Sequence, residues 1–185
     1  PGVDVNRNFD FLWDHTAHFA PDAGVATSSN PCNDTYRGPS AASEPETRNV
    51  VWLLDTFAIR WLVDVHSAVP VVLHSWGSDT NQDTDPDMSF RNPAYDAVRG
   101  RVGDAIGEYI TARDGDIAAA LAQEMAAGAL AVRGTVWPVE QAMTLYPTSG
   151  ASDDYSFSRH FTDATRRRVM GWTIECGSSF QPPWS

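Results

Sequence analysis

Lysine is absent from the 185 residues, and all 13 basic side chains are arginine. Against them stand 24 acidic residues, for a net charge of −11. That balance argues against nucleic acid and against anionic membrane surfaces as partners, because both call for a positive footprint. No apolar run approaches the ~20 residues of a helical membrane span, so no membrane partner is expected. Cysteine is scarce. Cys32 and Cys176 allow one disulfide, or stand as two buried thiols in a reducing compartment. No internal repeat, signal peptide or initiating methionine is visible. The chain opens at Pro1 already inside a patterned stretch, and we expect it to be part of a longer one.

What is present suits one globular domain. The chain is 42% apolar and 11% aromatic, enough to bury a core. Residues 1–10 read as an extended piece with an Asn-Arg-Asn tip. Residues 11–42 form a long loop rich in Pro, Gly, Ser, Asn and Asp. Ser43 as cap, Pro45 and Glu46 signal a helix over 46–60, with Val50, Leu53, Leu54 and Phe57 on one apolar face. The apolar run 61–66 predicts a buried strand, and 69–77 its neighbour. Asp79, Asp83, Asp85 and Asp87 read as a solvated loop, since calcium-loop spacing is lacking. Asn92 and Pro93 open a further predicted helix, with Val98, Val102, Ile106 and Ile110 as its core stripe. The alanine-rich 116–132 is a helix, or a short helix with a loop, limited by Gly128 and Gly134. Ser152 caps a helix over 152–161, and 169–176 is the last strand. Strands alternating with helices predict an α/β fold, a mixed, largely parallel sheet flanked by helices.

Three stretches carry candidate chemistry. His66 ends a strand, where α/β proteins gather ligands, but a lone histidine there also serves as a structural residue. Glu175 closes an apolar strand. A buried carboxyl is a natural general base, because burial raises its pKa; an ion pair with an arginine is the alternative. Asn6 and Arg7 place an amide beside a guanidinium, a suitable clamp for a carboxylate. Tyr146 precedes a small-residue loop suited to covering a substrate, followed by Asp153 and Asp154.

Taken in order, these pieces resemble the zinc carboxypeptidases of the carboxypeptidase A/B type. The residues that carry the resemblance are Gly2 to Asn8; Cys32, Thr35, Tyr36 and Gly38; Ser43, Glu44 and Glu46; His66-Ser67 with Gly77; Tyr146, Ser149, Gly150, Ser152 and Asp154; and Thr173-Ile174-Glu175. The resemblance implies removal of the C-terminal residue from peptides and proteins. It makes zinc the cofactor and His66 its third ligand. Asn6, Arg7 and Tyr146 bind the substrate's free carboxylate. Glu175 activates the metal-bound water and returns the proton to the leaving amine. It also places a specificity residue at Asp153, where an acid favours basic or mixed C-terminal residues. It suggests a cis bond after Ser67, and a secreted enzyme.

The resemblance is incomplete. The family's first two zinc ligands lie in a His-x-x-Glu motif, and none of His15, His18, His66, His74 or His160 has Glu three places on. We therefore expect residues 1–185 to be the C-terminal portion of a single catalytic domain, with a missing upstream segment supplying the remaining ligands. Cys32 then either pairs with an upstream cysteine, as the family implies, or with Cys176. A sheet without upstream strands would expose an apolar edge and be unstable alone. Two rival readings stay open. One is a non-enzymatic module that holds peptide C-termini through Asn6, Arg7 and Tyr146. The other is an amidohydrolase on the same scaffold.

Overall fold

Two strands separated by more than a hundred residues pair in parallel in the sheet. They are β1 (Trp61–Ser67) and β6 (Met170–Cys176), in register from Trp61↔Met170 to Ser67↔Cys176. On its other side β6 pairs antiparallel with β2 (Val71–His74), and β2 pairs parallel with β5 (Val139–Gln141). The sheet order is β1-β6-β2-β5, a mixed sheet with two parallel joins. A separate parallel pair joins β3 (Asn81–Gln82) to β4 (Glu108–Tyr109). The computed structural model describes residues 2–180; Pro1 and the last five residues of the expected 1–185 domain lie outside it.

Helices cover both faces, after the short α1 (His15–His18) and α2 (Pro45–Thr56). The helix α3 (Ala112–Arg133) is one continuous rod. Thr111 accepts the Asp114 N–H at its start, and Gly134 closes it at φ 68°. Gly128 does not interrupt it. Ala118, Ala122 and Ala126 recur every four residues and bring α3 close against the sheet. There Trp172 donates its indole N–H to the Ala118 carbonyl at 2.9 Å. The helix α4 (Ser152–Thr162) lies on the opposite face. It crosses Gly171 of β6, where a Cβ would sit 2.4 Å from the Asp153 carbonyl oxygen. Only glycine permits that approach. Beside α4, Trp76 stacks on Phe11 (5.3 Å) and packs against Phe157 (4.8 Å).

Several sequence expectations are corrected. Residues 93–110 do not form a helix; only a 3-10 turn over Pro93–Tyr95 forms. Ala97, Gly100 and Gly103 all take positive φ, which breaks helical repetition, and Val102 points into solvent. The helix expected over 46–60 ends at Thr56. Of its apolar face only Leu54 is buried, while Leu53 and Phe57 are exposed. Neither expected cap residue caps. Ser43 bonds Asn8 and Glu44 instead. Ser152 is the first residue inside α4 and donates to Asp64. Asp79 is not solvated; it is buried and accepts the N–H groups of Thr80 and Gly100. The cis peptide bond falls at Ser75–Trp76 and not after Ser67, which is the last residue of the β1 ladder. Cys32 and Cys176 are both free thiols, Cys32 exposed.

β1 is not a fully buried strand. Its Trp61, Val63 and Val65 share a face with Met170, Trp172 and Ile174, but α3 packs over β2, β5 and β6. Beyond that cover, Trp61 is 62% and Val65 66% exposed. Among the described residues β1 has a single sheet neighbour.

Candidate functional site

Register decides the site. His66 and Glu175 are paired residues of β1 and β6, so both side chains leave the same face at the strands' C-terminal ends. His66 Nδ1 lies 3.6 Å from Glu175 Oε1. Asn6 and Arg7 arrive on a 3-10 turn, Val5–Arg7, capped by Asp4 at its start. Gly150, at φ +67°, lets the loop before α4 press on the Arg7 carbonyl, where a Cβ would come within 2.3 Å. The Asn6 side-chain oxygen then accepts the Ser152 N–H at 2.8 Å. Arg7 is buried. Its Nε and Nη1 donate to the carbonyls of Ala26 (2.5 Å) and Asn6 (2.6 Å). No hydrogen bond within the described residues engages its Nη2.

The structure brings Asn6, Arg7, His66, Tyr146, Asp153 and Glu175 to the wall of one cleft. Leu73, Ala142 and Leu145 supply apolar lining. The open volume is about 40 Å³, room for a few waters. Tyr146 is 39% exposed.

The charges are arranged against one another. Burial pushes the Glu175 carboxyl above its ordinary range, partly offset by His66 and Arg7. Its Oε2 is buried without a hydrogen-bond partner. Burial likewise raises Asp153, against the Asp154 N–H that favours its ionised form. Asp154 is raised further, by burial and by the neighbouring Asp153; its Oδ2 accepts the Gly77 N–H at 2.9 Å. A hydrogen bond to Asp64 raises His66, against the effect of burial.

Asp64 is the residue that sequence reasoning passed over. It is two residues before His66 on one strand, so the two share a face, and that Asp-x-His spacing is the signal that marks it. Burial also hides a second group, the Glu108–Arg99 pair, with Glu108 further bonded to Phe90 and Ser78. Burial pushes Glu108 from 4.5 up to about 7 despite Arg99. Between those two pH values the folded chain holds a proton that the unfolded chain has released, so this group makes stability fall as pH rises. Its contribution is full below pH 4.5 and gone above about 7. Glu108→Gln is expected to remove that slope, worth on the order of 3 kcal/mol across the window. Urea midpoints of both chains from pH 4 to 8 would reveal it; parallel curves would contradict it.

The fold is an α/β scaffold whose cleft gathers a guanidinium, an amide, an imidazole, a phenol and two carboxyl groups. The sequence model of the zinc carboxypeptidases matches residues 1–183, and the chain belongs to that family. Carboxypeptidase B of Helicoverpa zea is 40% identical over 80 residues, 42% of this chain and 17% of that protein. Carboxypeptidase B of Astacus astacus is 28% identical over 160 residues, 84% of this chain and 40% of that protein. Among solved structures, the carboxypeptidase A from Helicoverpa armigera superposes with a TM-score of 0.64 at 21% identity, covering 100% of this chain and 35% of its own. Thrombin-activatable fibrinolysis inhibitor superposes at 0.58 and 20% identity, over 94% of this chain and 33% of its own. The chain thus spans well under half of the length of these relatives.

The family's metal can be tested against the donors present. A catalytic zinc takes three protein ligands. Here one imidazole, His66, faces the cleft, and among the described residues no three His, Cys, Asp or Glu side chains converge to hold an ion. These residues do not complete a zinc site by themselves.

Proposed function

We propose that the cleft receives the C-terminal residue of a peptide or protein and that the natural protein hydrolyses the bond preceding it. The observation that carries this reading is the convergence of Arg7, Asn6 and a Glu175 with a bare, buried Oε2 in one cleft. The substrate's carboxylate takes the free Nη2 of Arg7 and the Nδ2 of Asn6, a charge-assisted clamp that selects chain ends. Tyr146 closes over it. Glu175 accepts a proton from the attacking water and returns it to the leaving amine nitrogen. Asp153, buried in the cleft wall, pairs with a lysine or arginine side chain of the substrate. Zinc belongs to this proposal only with further ligands from outside the described residues, as a segment upstream would supply. A secreted location rests on the resemblance alone.

Asp153→Asn keeps the acceptor that Asp154 N–H uses and removes the charge. We expect kcat/KM for peptides ending in arginine to fall about 10- to 100-fold, at about 1.4 kcal/mol per tenfold, with phenylalanine-ended peptides little affected. Equal loss on both would remove Asp153 from specificity.

The test of the function is single-residue release by the natural protein, alongside zinc content after dialysis. Peptides with free and amidated C-termini are compared. Release from free ends only, with near-stoichiometric zinc, is expected. Binding of free ends without release would favour a carboxylate-binding module, which the incomplete donor set supports. Cleavage of amidated peptides would favour an amidohydrolase.

A further inference from the structure

Arginines of this acidic chain meet in one place with no acid between them. Arg60, Arg167 and Arg168 line a groove of about 430 Å³, and among the described residues no carboxylate lines it. The chain as a whole carries −11, so this local surplus runs against its composition. The groove sits at the N-terminal ends of β1 and β6, where Trp61 pairs with Met170. His66 and Glu175 lie further along the same strands, roughly 16 Å away at about 3.3 Å per residue.

The arginines differ in what holds them. In the run Arg166-Arg167-Arg168 the outer two are engaged. Arg166 lies 3.7 Å from Asp163 and 3.9 Å from Asp55. Arg168 pairs with Asp114 of α3. Those contacts hold the chain on either side of Arg167. Arg167 itself is exposed, and so is Arg60. No ion pair or side-chain hydrogen bond within the described residues engages either guanidinium. Arg113, exposed on the first turn of α3, adds a further charge nearby. Burial, and then that charge, hold the Arg168 guanidinium below its ordinary range. An anion in the groove would relieve the repulsion. The rest of the lining is apolar: Trp61, 62% exposed, with Ile117 and Met170.

We propose that this groove binds an acidic peptide segment of a partner protein, one that carries an apolar side chain among its carboxylates. The carboxylates take the free guanidinium forks of Arg60 and Arg167, a bidentate match. The apolar side chain covers Trp61, which a simple anion would leave open to water. A nucleic acid or an anionic bilayer spreads its charge widely and would meet the acidic remainder of the chain. A short segment keeps its charge within the groove, and salt screens the remainder beyond about 8 Å. The inference stands on the groove and needs nothing from the peptidase reading.

The test is titration calorimetry on the natural protein. The probe is an N-acetylated, C-amidated peptide with a phenylalanine between pairs of glutamates; the amide keeps it from entering the cleft as a free chain end. Expected is saturable binding at a single site that weakens as salt rises. Arg60→Gln and Arg167→Gln should each weaken it about threefold, and both together about tenfold. Arg133→Gln, an exposed arginine at the far end of α3, should leave it unchanged. Alanine in place of the probe's phenylalanine should weaken it too. No binding, or an equal loss in Arg133→Gln, overturns the proposal. Should the double variant fail to fold, a probe with glutamine for glutamate decides on the wild-type protein, and undiminished binding counts against the proposal. Tighter binding of phosphatidylserine vesicles or of polyuridine through Arg60 and Arg167 would assign the groove to a membrane or a nucleic acid and overturn it as well. The readout needs no turnover, so failure to release amino acids would sink the peptidase reading and leave this one standing.

Discussion

Glu175→Gln in the natural protein is expected to lower kcat for C-terminal residue release by about a thousandfold, within the 10²–10⁴ that a positioned acid–base group supplies. KM should change little. Glutamine matches the shape of glutamate and still fills the space below Arg7, but it can neither take a proton nor return one. The environment argues for a proton carrier over a structural ion pair. Arg7 spends Nε and Nη1 on the backbone carbonyls of Ala26 and Asn6, not on Glu175. Glu175 keeps Oε2 unpartnered although the residue is buried. A buried orphan oxygen costs stability, on the order of 1–3 kcal/mol, unless a function uses it. Steady-state kinetics on a peptide with a free C-terminal arginine give the answer. A variant retaining a tenth or more of wild-type kcat would remove Glu175 from proton transfer. A rise in KM with kcat intact would make it a binding residue.

Trp172→Ala should cost about 3–5 kcal/mol of folding stability, the range for removing a large buried aromatic side chain. Against a total of about 5–15 kcal/mol, that is enough to bring the domain near its unfolding threshold. Trp172 is 0% exposed and sits on β6, between β1 and β2. Its indole fills the layer beneath α3, and its N–H satisfies the Ala118 carbonyl at 2.9 Å. Truncation opens a cavity and withdraws that hydrogen bond. Trp172 and Glu175 lie on opposite faces of β6, so the effect should fall on stability and leave the cleft's geometry alone. Denaturant unfolding measures it as a shifted midpoint with an unchanged slope. Trp52→Ala provides the contrast, since that side chain is 57% exposed on α2. Equal losses at both positions would show that the α3 layer is not where the stability resides.

The two helices that packing later used were legible for local reasons. Alanines recur at the packing interval of α3 and Gly134 ends it, although the helix starts at Ala112, ahead of the expected 116, and runs through Gly128. The β1 and β6 runs were apolar and β-branched where they needed to be. The helix expected after Pro93 shows the limit of such reasoning. Val98, Val102, Ile106 and Ile110 have the right spacing, yet Gly100, Gly103 and Gly107 lie among them. Positive φ at the first two of these breaks the helical run, and β4 forms at its end. Periodicity reports which side could be buried, not whether the backbone repeats. The caps failed for a related reason. Ser43 and Ser152 have the chemistry of caps, but Asn8 and Asp64, distant in sequence, offered those hydroxyls better-placed partners.

By itself, the sequence determined the residue chemistry of the cleft: a guanidinium beside an amide, a lone histidine at a strand end, a glutamate closing an apolar strand, and an acid after a small-residue loop. Those are properties of short stretches and survive without a fold. Only the tertiary structure decided their relations. The parallel register of β1 on β6 placed His66 beside Glu175. Gly150 and Gly171 let backbone approach closely enough to bring Asn6 to Ser152 and α4 to the sheet. Folding made Asp79 and Glu108 interior groups and brought Ser152 of α4 onto Asp64. The register and the close approaches pair residues far apart in the chain, and a shift of one residue in the ladder would have turned the same side chains to the other face.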